Sequence, residues 1–265
     1  MIRSNGPSLK ALLARKNGSI GSWVTLGHPA VAEIMAGAGF DWLVIDMEHS
    51  AITFHQAQQL IQVIELSGVP PLVRVGENNP NLIKRAMDCG AHGVIVPMVN
   101  TKAEALQAVR SVKYPPVGSR GVGLARAQGY GMSFEPYRDW AAKESVVIVQ
   151  IEHIDAVRNL EDILDVPGLD AIFVGPYDLS GSMGKPGEFH DPDVEAAISR
   201  TLKLATQRGI SAGFHVIAPE VEALRGRSSQ GYRFLAFSLD TLFLARSCAG
   251  LLSQARGDRR PRRGG

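Results

Sequence analysis

Eight short runs rich in Val, Ile and Phe punctuate this chain of 265 residues, and their spacing limits the fold more than any other feature. They fall at residues 21–26, 41–46, 71–75, 93–97, 146–151, 171–175, 211–215 and 233–238. Each is nearly continuous in apolar character, as expected of strands covered on both faces. Amphipathic stretches separate them, at residues 55–67, 80–89, 102–112, 155–164, 193–208 and 219–227. Thr53, Asn79-Pro80 and Thr101 stand where helix caps belong, and Gly68, Gly90 and Gly209 where helices should stop. Eight strands alternating with helices predict an α/β fold, a (β/α)8 barrel forming one domain over residues 1–255. The alternative is a doubly wound sheet, but no Gly-rich phosphate loop follows the first strand. Gly121-Val122-Gly123 does not complete that fingerprint.

Composition narrows the class. Hydrophobic content of 45% and charged content of 20% are ordinary for a globular protein. No apolar run reaches the length of a membrane span, and residues 1–16 lack the apolar core of a signal peptide. Two cysteines, Cys89 and Cys248, provide no disulfide framework and fit a reducing cytoplasm. The net charge of +2 conceals an asymmetry: residues 256–265 hold five Arg and one Asp, a +4 segment, so the body is near −2. That tail has no apolar residue and is expected to be disordered. A nucleic-acid arm is the sharper reading, but the body offers no basic face to accompany it. A last apolar helix is expected over residues 240–255, packing on the barrel or on a second subunit. The connection from Pro97 to Val146 is unusually long, and such loops are commonly functional or interfacial.

Polar residues gather at the carboxyl ends of the strands, where a barrel places its chemistry. The second strand ends Asp46-Met47-Glu48-His49, the third carries Arg74, and the fifth delivers Gln150 and Glu152. The sixth runs into Gly175-Pro176-Tyr177-Asp178, the seventh ends at His215, and the eighth precedes Asp240. Glu152 and Asp178 are hard oxygen donors with no Cys or His pair beside them. They point to Mg2+ or Mn2+, with Co2+ also admissible, rather than structural zinc. The competing reading makes Glu152 a helix cap and Asp178 a solvated turn residue. Arg74 has the planar fork that grips a carboxylate, against an ion pair with Asp46 or Glu48. His49 is the candidate base, since imidazole titrates near working pH; flanking carboxylates distinguish it from a core histidine. Glu48 receives no role. His28, His55, His92, His153 and His190 are read as structural. No lysine falls within a predicted strand, so a metal rather than an imine is expected as the electron sink.

These residues resemble the HpcH/HpaI family of class II pyruvate aldolases, of the 4-hydroxy-2-oxoheptanedioate and 2-dehydro-3-deoxyglucarate type. The resemblance runs from about residue 18 to 252. It is carried by residues 38–49, Val73-Arg74-Val75, Val96-Pro97-Met98, Tyr114-Pro115-Pro116, Arg120-Gly121-Val122-Gly123, Val149-Gln150-Ile151-Glu152 and Gly175 to Ser180. It implies a barrel assembled as a hexamer, a trimer of dimers with exchanged C-terminal helices. It implies that Glu152 and Asp178 bind the metal, that His49 is the base and that Asp46 supports it. Arg74 would bind pyruvate, with Gln150 alongside, and backbone amides near Tyr177 and Asp178 would hold the pyruvate carboxylate. Asp88 would reach a neighbouring subunit's site, and Trp23 and His215 would line the acceptor pocket. The implied reaction is reversible aldol cleavage of a 4-hydroxy-2-oxo acid to pyruvate and an aldehyde. Citrate-synthase-like condensation or oxaloacetate decarboxylation could use the same residues, and a non-catalytic barrel is the remaining alternative. The chain departs from the family in four places: Tyr177 replaces a small residue, His215 an apolar one, Phe237-Ser238-Leu239 the usual Val-Gly-Val, and the first strand ends in Gly-His-Pro. His215 points to a polar or anionic acceptor.

Overall fold

Val and Ile are stiff at χ1 and pack well on a pleated surface, and all eight apolar runs are strands. A computed structural model describes residues 6–257. The strands are β1 (Ser19–Val24), β2 (Trp42–Asp46), β3 (Pro71–Arg74), β4 (Gly93–Val96), β5 (Val146–Ile151), β6 (Ala171–Val174), β7 (Ser211–Val216) and β8 (Phe234–Leu239). They pair in parallel in chain order, and β8 returns to β1, closing the barrel. Among the described residues the helices are α1 (Leu9–Leu13), α2 (Pro29–Gly37), α3 (Phe54–Leu66), α4 (Pro80–Cys89), α5 (Lys102–Val112), α6 (Phe134–Lys143), α7 (Ile154–Arg158), α8 (Leu160–Leu164), α9 (Pro176–Ser182), α10 (Pro192–Gln207), α11 (Val221–Gln230) and α12 (Asp240–Ala255).

The local signals act as expected at most boundaries. Thr53 and Thr101 form reciprocal capping boxes with Gln56 and Glu104, and Asn79 caps α4 through two backbone N–H groups. Gly90 ends α4 in the left-handed region at φ 107°. Residues 155–164 are not one helix. Asn159 breaks the segment into α7 and α8, and its side-chain amide donates to the Asn100 carbonyl at 2.9 Å. Helices α1, α2, α6 and α9 also arise where no helix was expected. His28 caps α2 and His153 caps α7, each accepting a backbone N–H at its Nδ1.

The barrel interior is filled by large rings set against glycine. Trp42 stacks on Phe234 with centroids 3.9 Å apart, and Phe173 meets both Trp23 and Phe234 edge-on. Gly21 lies against the Trp42 ring and Gly213 against the Phe173 ring. Leu9, Leu12 and Leu13 of α1 join this inner cluster and plug the amino end of the barrel. A larger cluster packs the helices onto the outer faces of the strands.

Two arginines pin down the long connection between β4 and β5. Arg120, fully buried, donates to Asp88 of α4 at 2.5 Å and to the Tyr137 hydroxyl at 2.9 Å. Arg126 donates to Glu65 of α3 and to the Cys89 carbonyl. Gly21→Ala places a methyl inside the Trp42 ring, which Phe234 backs, so the ring cannot retreat. Such overpacking should cost about 1–3 kcal/mol or more, read as a lowered urea midpoint at unchanged slope. An unaltered midpoint would contradict the packing account.

Candidate active site

The open end of the barrel holds a cavity of about 400 Å3. Trp23, Asp46, His49, Arg74, Gln150 and Asp178 contribute to its lining, with Tyr177 and His215 on its walls. Register explains the pairing at its base: β2 and β3 set Asp46 directly opposite Arg74. The guanidinium meets Asp46 with both prongs, Nε to Oδ1 at 3.0 Å and Nη2 to Oδ2 at 2.7 Å. Asp46 Oδ1 also accepts the backbone N–H groups of Glu48 and His49, at 3.0 and 3.3 Å. Arg74 Nη1 lies 3.2 Å from Glu48 Oε2 and 3.5 Å from Gln150 Oε1. The guanidinium also covers the Trp23 ring at 4.4 Å. Trp23 is buried, and its indole N–H has no hydrogen-bond partner among the described residues.

Glu152 stands just past β5, only 3% exposed. Its Oε1 accepts the Met98 N–H at 2.7 Å and its Oε2 the Gln150 amide at 2.7 Å. Met98 reaches it from a left-handed backbone at φ 51°. Gly175 leaves room beside it: a Cβ there would sit 2.5 Å from Glu152 Oε2. Asp178 occupies the third position of α9 and is exposed, and its carboxylate makes no hydrogen bond with the described residues. Two other hollows, of about 570 and 630 Å3, lie at the amino end of the barrel and outside it along α10 and α11. Neither brings strand-end carboxylates together.

A family model for HpcH/HpaI aldolase/citrate lyase matches residues 19–247. The chain belongs to this family. It is 40% identical to 4-hydroxy-2-oxo-heptane-1,7-dioate aldolase of Escherichia coli, over 93% of this chain and 94% of that enzyme. A crystal structure of an HpcH/HpaI aldolase/citrate lyase family protein from Burkholderia cenocepacia superposes with a TM-score of 0.89 at 36% identity, covering 94% of this chain and 98% of that one. The citrate synthase SbnG gives a TM-score of 0.84 at 27% identity, covering 94% and 98%.

Within this HpcH/HpaI chain, the surroundings of Asp46, Arg74 and Asp88 are as follows. Asp46 does not touch the His49 imidazole; its oxygens are taken by Arg74 and two backbone N–H groups. The carboxylate near that ring is Glu48, 3.8 Å from His49 Nε2, while the imidazole is 65% exposed. Arg74 is no open fork: Asp46 fills two prongs, and only the Nη1 edge faces Glu48 and Gln150. Asp88 does not line the cavity of its own chain; it receives Arg120. No lysine lines the cavity, and the buried Lys113 serves Ala141 and Ser145 near the amino end of β5. Thr25, Met98, Ile217 and Leu239 also belong to the site or its support, and apolar or small residues carry no sequence signal for such a role.

Burial raises the pKa of the less fully compensated acids. Burial raises Glu48, only partly offset by Arg74 and His49. Burial pushes Glu152 up to about 7, and the charges of Glu48 and Asp178 push the same way. Asp46 ends up lowered, because Arg74 and the two N–H groups outweigh its burial. In metal-free protein, Glu152 therefore contributes stability that is complete below its ordinary value of 4.5 and lost as pH rises through about 7. The urea midpoint of wild type relative to Glu152→Gln should fall across that window. Parallel pH curves for the two proteins would remove the desolvation account.

Proposed function

We propose that this protein is a divalent-metal-dependent aldolase, a carbon–carbon lyase that interconverts a 4-hydroxy-2-oxo acid with pyruvate, or a related 2-oxo acid, and an aldehyde. One observation carries the reading: Glu152 is buried beside the charges of Glu48 and Asp178 while the nearest guanidinium is already engaged by Asp46. That negative excess, on hard oxygen donors with space left by Gly175, suits Mg2+ or Mn2+, and Co2+ as a third candidate. Glu152 and Asp178 would hold the ion, since each Glu152 oxygen spends only one lone pair on its hydrogen bond. When bound, the ion supplies Lewis acidity toward the keto oxygen of the substrate.

The chain's own groups then divide the remaining work. Arg74 presents Nη1 to the 2-oxo acid while Asp46 holds the guanidinium still. Gln150 flanks the same edge. Backbone N–H groups at Tyr177 and Asp178, in the unsatisfied first turn of α9, offer donors to the substrate carboxylate. In cleavage His49 removes the C4 hydroxyl proton; the C3–C4 bond breaks, the aldehyde departs, and the electron pair remains as the enolate. Protonation at C3 gives pyruvate. Glu48, beside His49, steadies the imidazolium formed on the way. Trp23, His215, Ile217 and Leu239 surround the space left for the aldehyde.

Chelator should abolish turnover and added Mg2+ or Mn2+ should restore it; full turnover in excess chelator would eliminate the metal. His49→Ala should slow aldol cleavage by about 100-fold or more if His49 is the general base, and near-normal cleavage would take it out of the mechanism. The similarity to a citrate synthase favours a second reading on the same enolate. Oxaloacetate with acetyl-CoA, or oxaloacetate alone, tested against pyruvate with small aldehydes, separates condensation and decarboxylation from aldol chemistry.

The acting species is a homo-oligomer, with a hexamer built through exchanged C-terminal helices as the specific form. Helix α12 buries only Asp240 and exposes Leu244, Leu251 and Leu252, more apolar surface than a monomer usually leaves bare. Asp88 would meet a neighbouring site only through that assembly. A single domain over residues 1–255, a cytoplasmic setting and partners limited to small molecules complete the proposal. Cys89 and Cys248 are unpaired, and no helix among the described residues is long and apolar enough to cross a membrane. Of the tail expected to be disordered, residues 258–265 lie outside the described residues. Sedimentation should report a species larger than the monomer. Leu251→Glu combined with Leu252→Glu should shift it to smaller particles with helical circular dichroism retained; an unchanged particle would exclude this face as the interface.

A further inference from the structure

We propose that His215 selects a neutral, hydroxyl-bearing aldehyde over an anionic one, by accepting a hydrogen bond from the aldehyde's hydroxyl at its Nδ1. The inference rests on the aldolase reading and specifies the aldehyde that reading leaves open.

The argument begins with a carbonyl. Ser238, the penultimate residue of β8, lies in the left-handed region at φ 52°, a conformation that a residue with a side chain rarely adopts. Its carbonyl oxygen accepts the Ser22 hydroxyl at 3.2 Å and lies 3.1 Å from His215 Nε2. A carbonyl can only accept, so Nε2 carries the hydrogen. The ring is held in that pose by Trp23, whose centroid is 5.4 Å away. Burial, together with the Arg74 charge, presses the imidazole down to about 4, so it is neutral at physiological pH. A neutral ring with hydrogen on Nε2 has a lone pair on Nδ1. Nδ1 makes no hydrogen bond with the described residues, and His215 lines the cavity.

This subsite therefore demands a donor. A hydroxyl supplies one, whereas a carboxylate, sulfonate or phosphate tail brings only acceptors against that lone pair. Among the described residues the lining holds no Lys or Arg for such a tail besides Arg74, and Asp46, Glu48 and Gln150 face its nitrogens. Asp46 and Asp178 line the same cavity and repel a second anion. The remaining walls, Trp23, Phe173, Ile217 and Leu239, suit a short carbon chain.

The test uses the metal-loaded full-length enzyme, pyruvate and three aldehydes: 3-hydroxypropanal, propanal and succinic semialdehyde. The readout is the ratio of kcat/KM values within each protein, which cancels differences in folded fraction and in enolisation rate. Wild type should favour 3-hydroxypropanal over both others. His215→Leu should reduce the hydroxypropanal-to-propanal ratio by about tenfold, the worth of one neutral hydrogen bond. His215→Gln, which keeps a side-chain acceptor, should retain part of it. An unchanged ratio in His215→Leu, or a wild-type preference for the semialdehyde, overturns the proposal. Exchange of pyruvate methyl protons for deuterium, measured without aldehyde, separates the two levels. Exchange with flat ratios defeats the role of His215 alone, and no exchange in wild type defeats the aldolase reading with it.

Discussion

Asp46 and Arg74 face each other across adjacent strands at the mouth of the barrel, and burying two such charges is costly unless their polar atoms are matched. Here they are matched. Two prongs of the guanidinium and two backbone N–H groups converge on one carboxylate. The same bonds that stabilise the pair fix the backbone of Glu48 and His49, so the turn carrying the candidate base is held by the ion pair beneath it. The guanidinium also rests on Trp23, and Trp23 rests against His215. A single strand register thus positions the candidate base, the Nη1 edge of Arg74 and the Trp23 ring that lines the cavity. Removing Asp46 would disturb all three together, whereas removing Glu48 would free only His49 and one edge of Arg74.

Charge balance explains why the opposite wall differs. Asp46 is compensated and its proton affinity falls; Glu152 is not, and its proton affinity rises. Two hydrogen bonds to Met98 and Gln150 orient Glu152 without neutralising it, because the first donor is a backbone amide and the second a side-chain amide. Protonation or a bound cation are the two ways to relieve such a group. The presence of Asp178 nearby, and the absence of any side chain at Gly175, favour the cation, since a protonated acid would need neither a second carboxylate nor the space.

The barrel was legible because both faces of its strands are covered, which writes them as continuous apolar runs separated by cap and stop residues. The positions of the site residues were legible for a related reason, since strand ends are easy to locate. Their partners were not. Glu48 had no assignable role, and the ion pair of Arg74 with Asp46 stood only as the reading that competed with a free fork, Asp46 being given to His49. Which carboxylate meets which cation depends on the register of β2 against β3, and composition carries no trace of that register. Helix α9 was hidden because Gly175-Pro176 reads as a turn, although Pro at the first helical position also starts a helix. The break at Asn159 depends on a bond to Asn100, a residue distant in sequence.

The C-terminal helix joins this site to the outer surface. The buried Asp240 carboxylate opens α12 by accepting the Thr25 and Leu26 N–H groups, the Thr25 hydroxyl and its neighbour Thr241 N–H, all within 2.6–2.8 Å. Thr25 and Leu239 line the cavity, while Leu251 and Leu252 stand bare toward the far end of the same helix. Four hydrogen bonds on one buried carboxylate make the first turn stiff, and shifting it would strand several donors at once. Any partner that covered the far half of α12 would act on a helix whose beginning is already anchored. The cavity owes its shape to bonds within the subunit, and assembly would add neighbours around it without redrawing its walls.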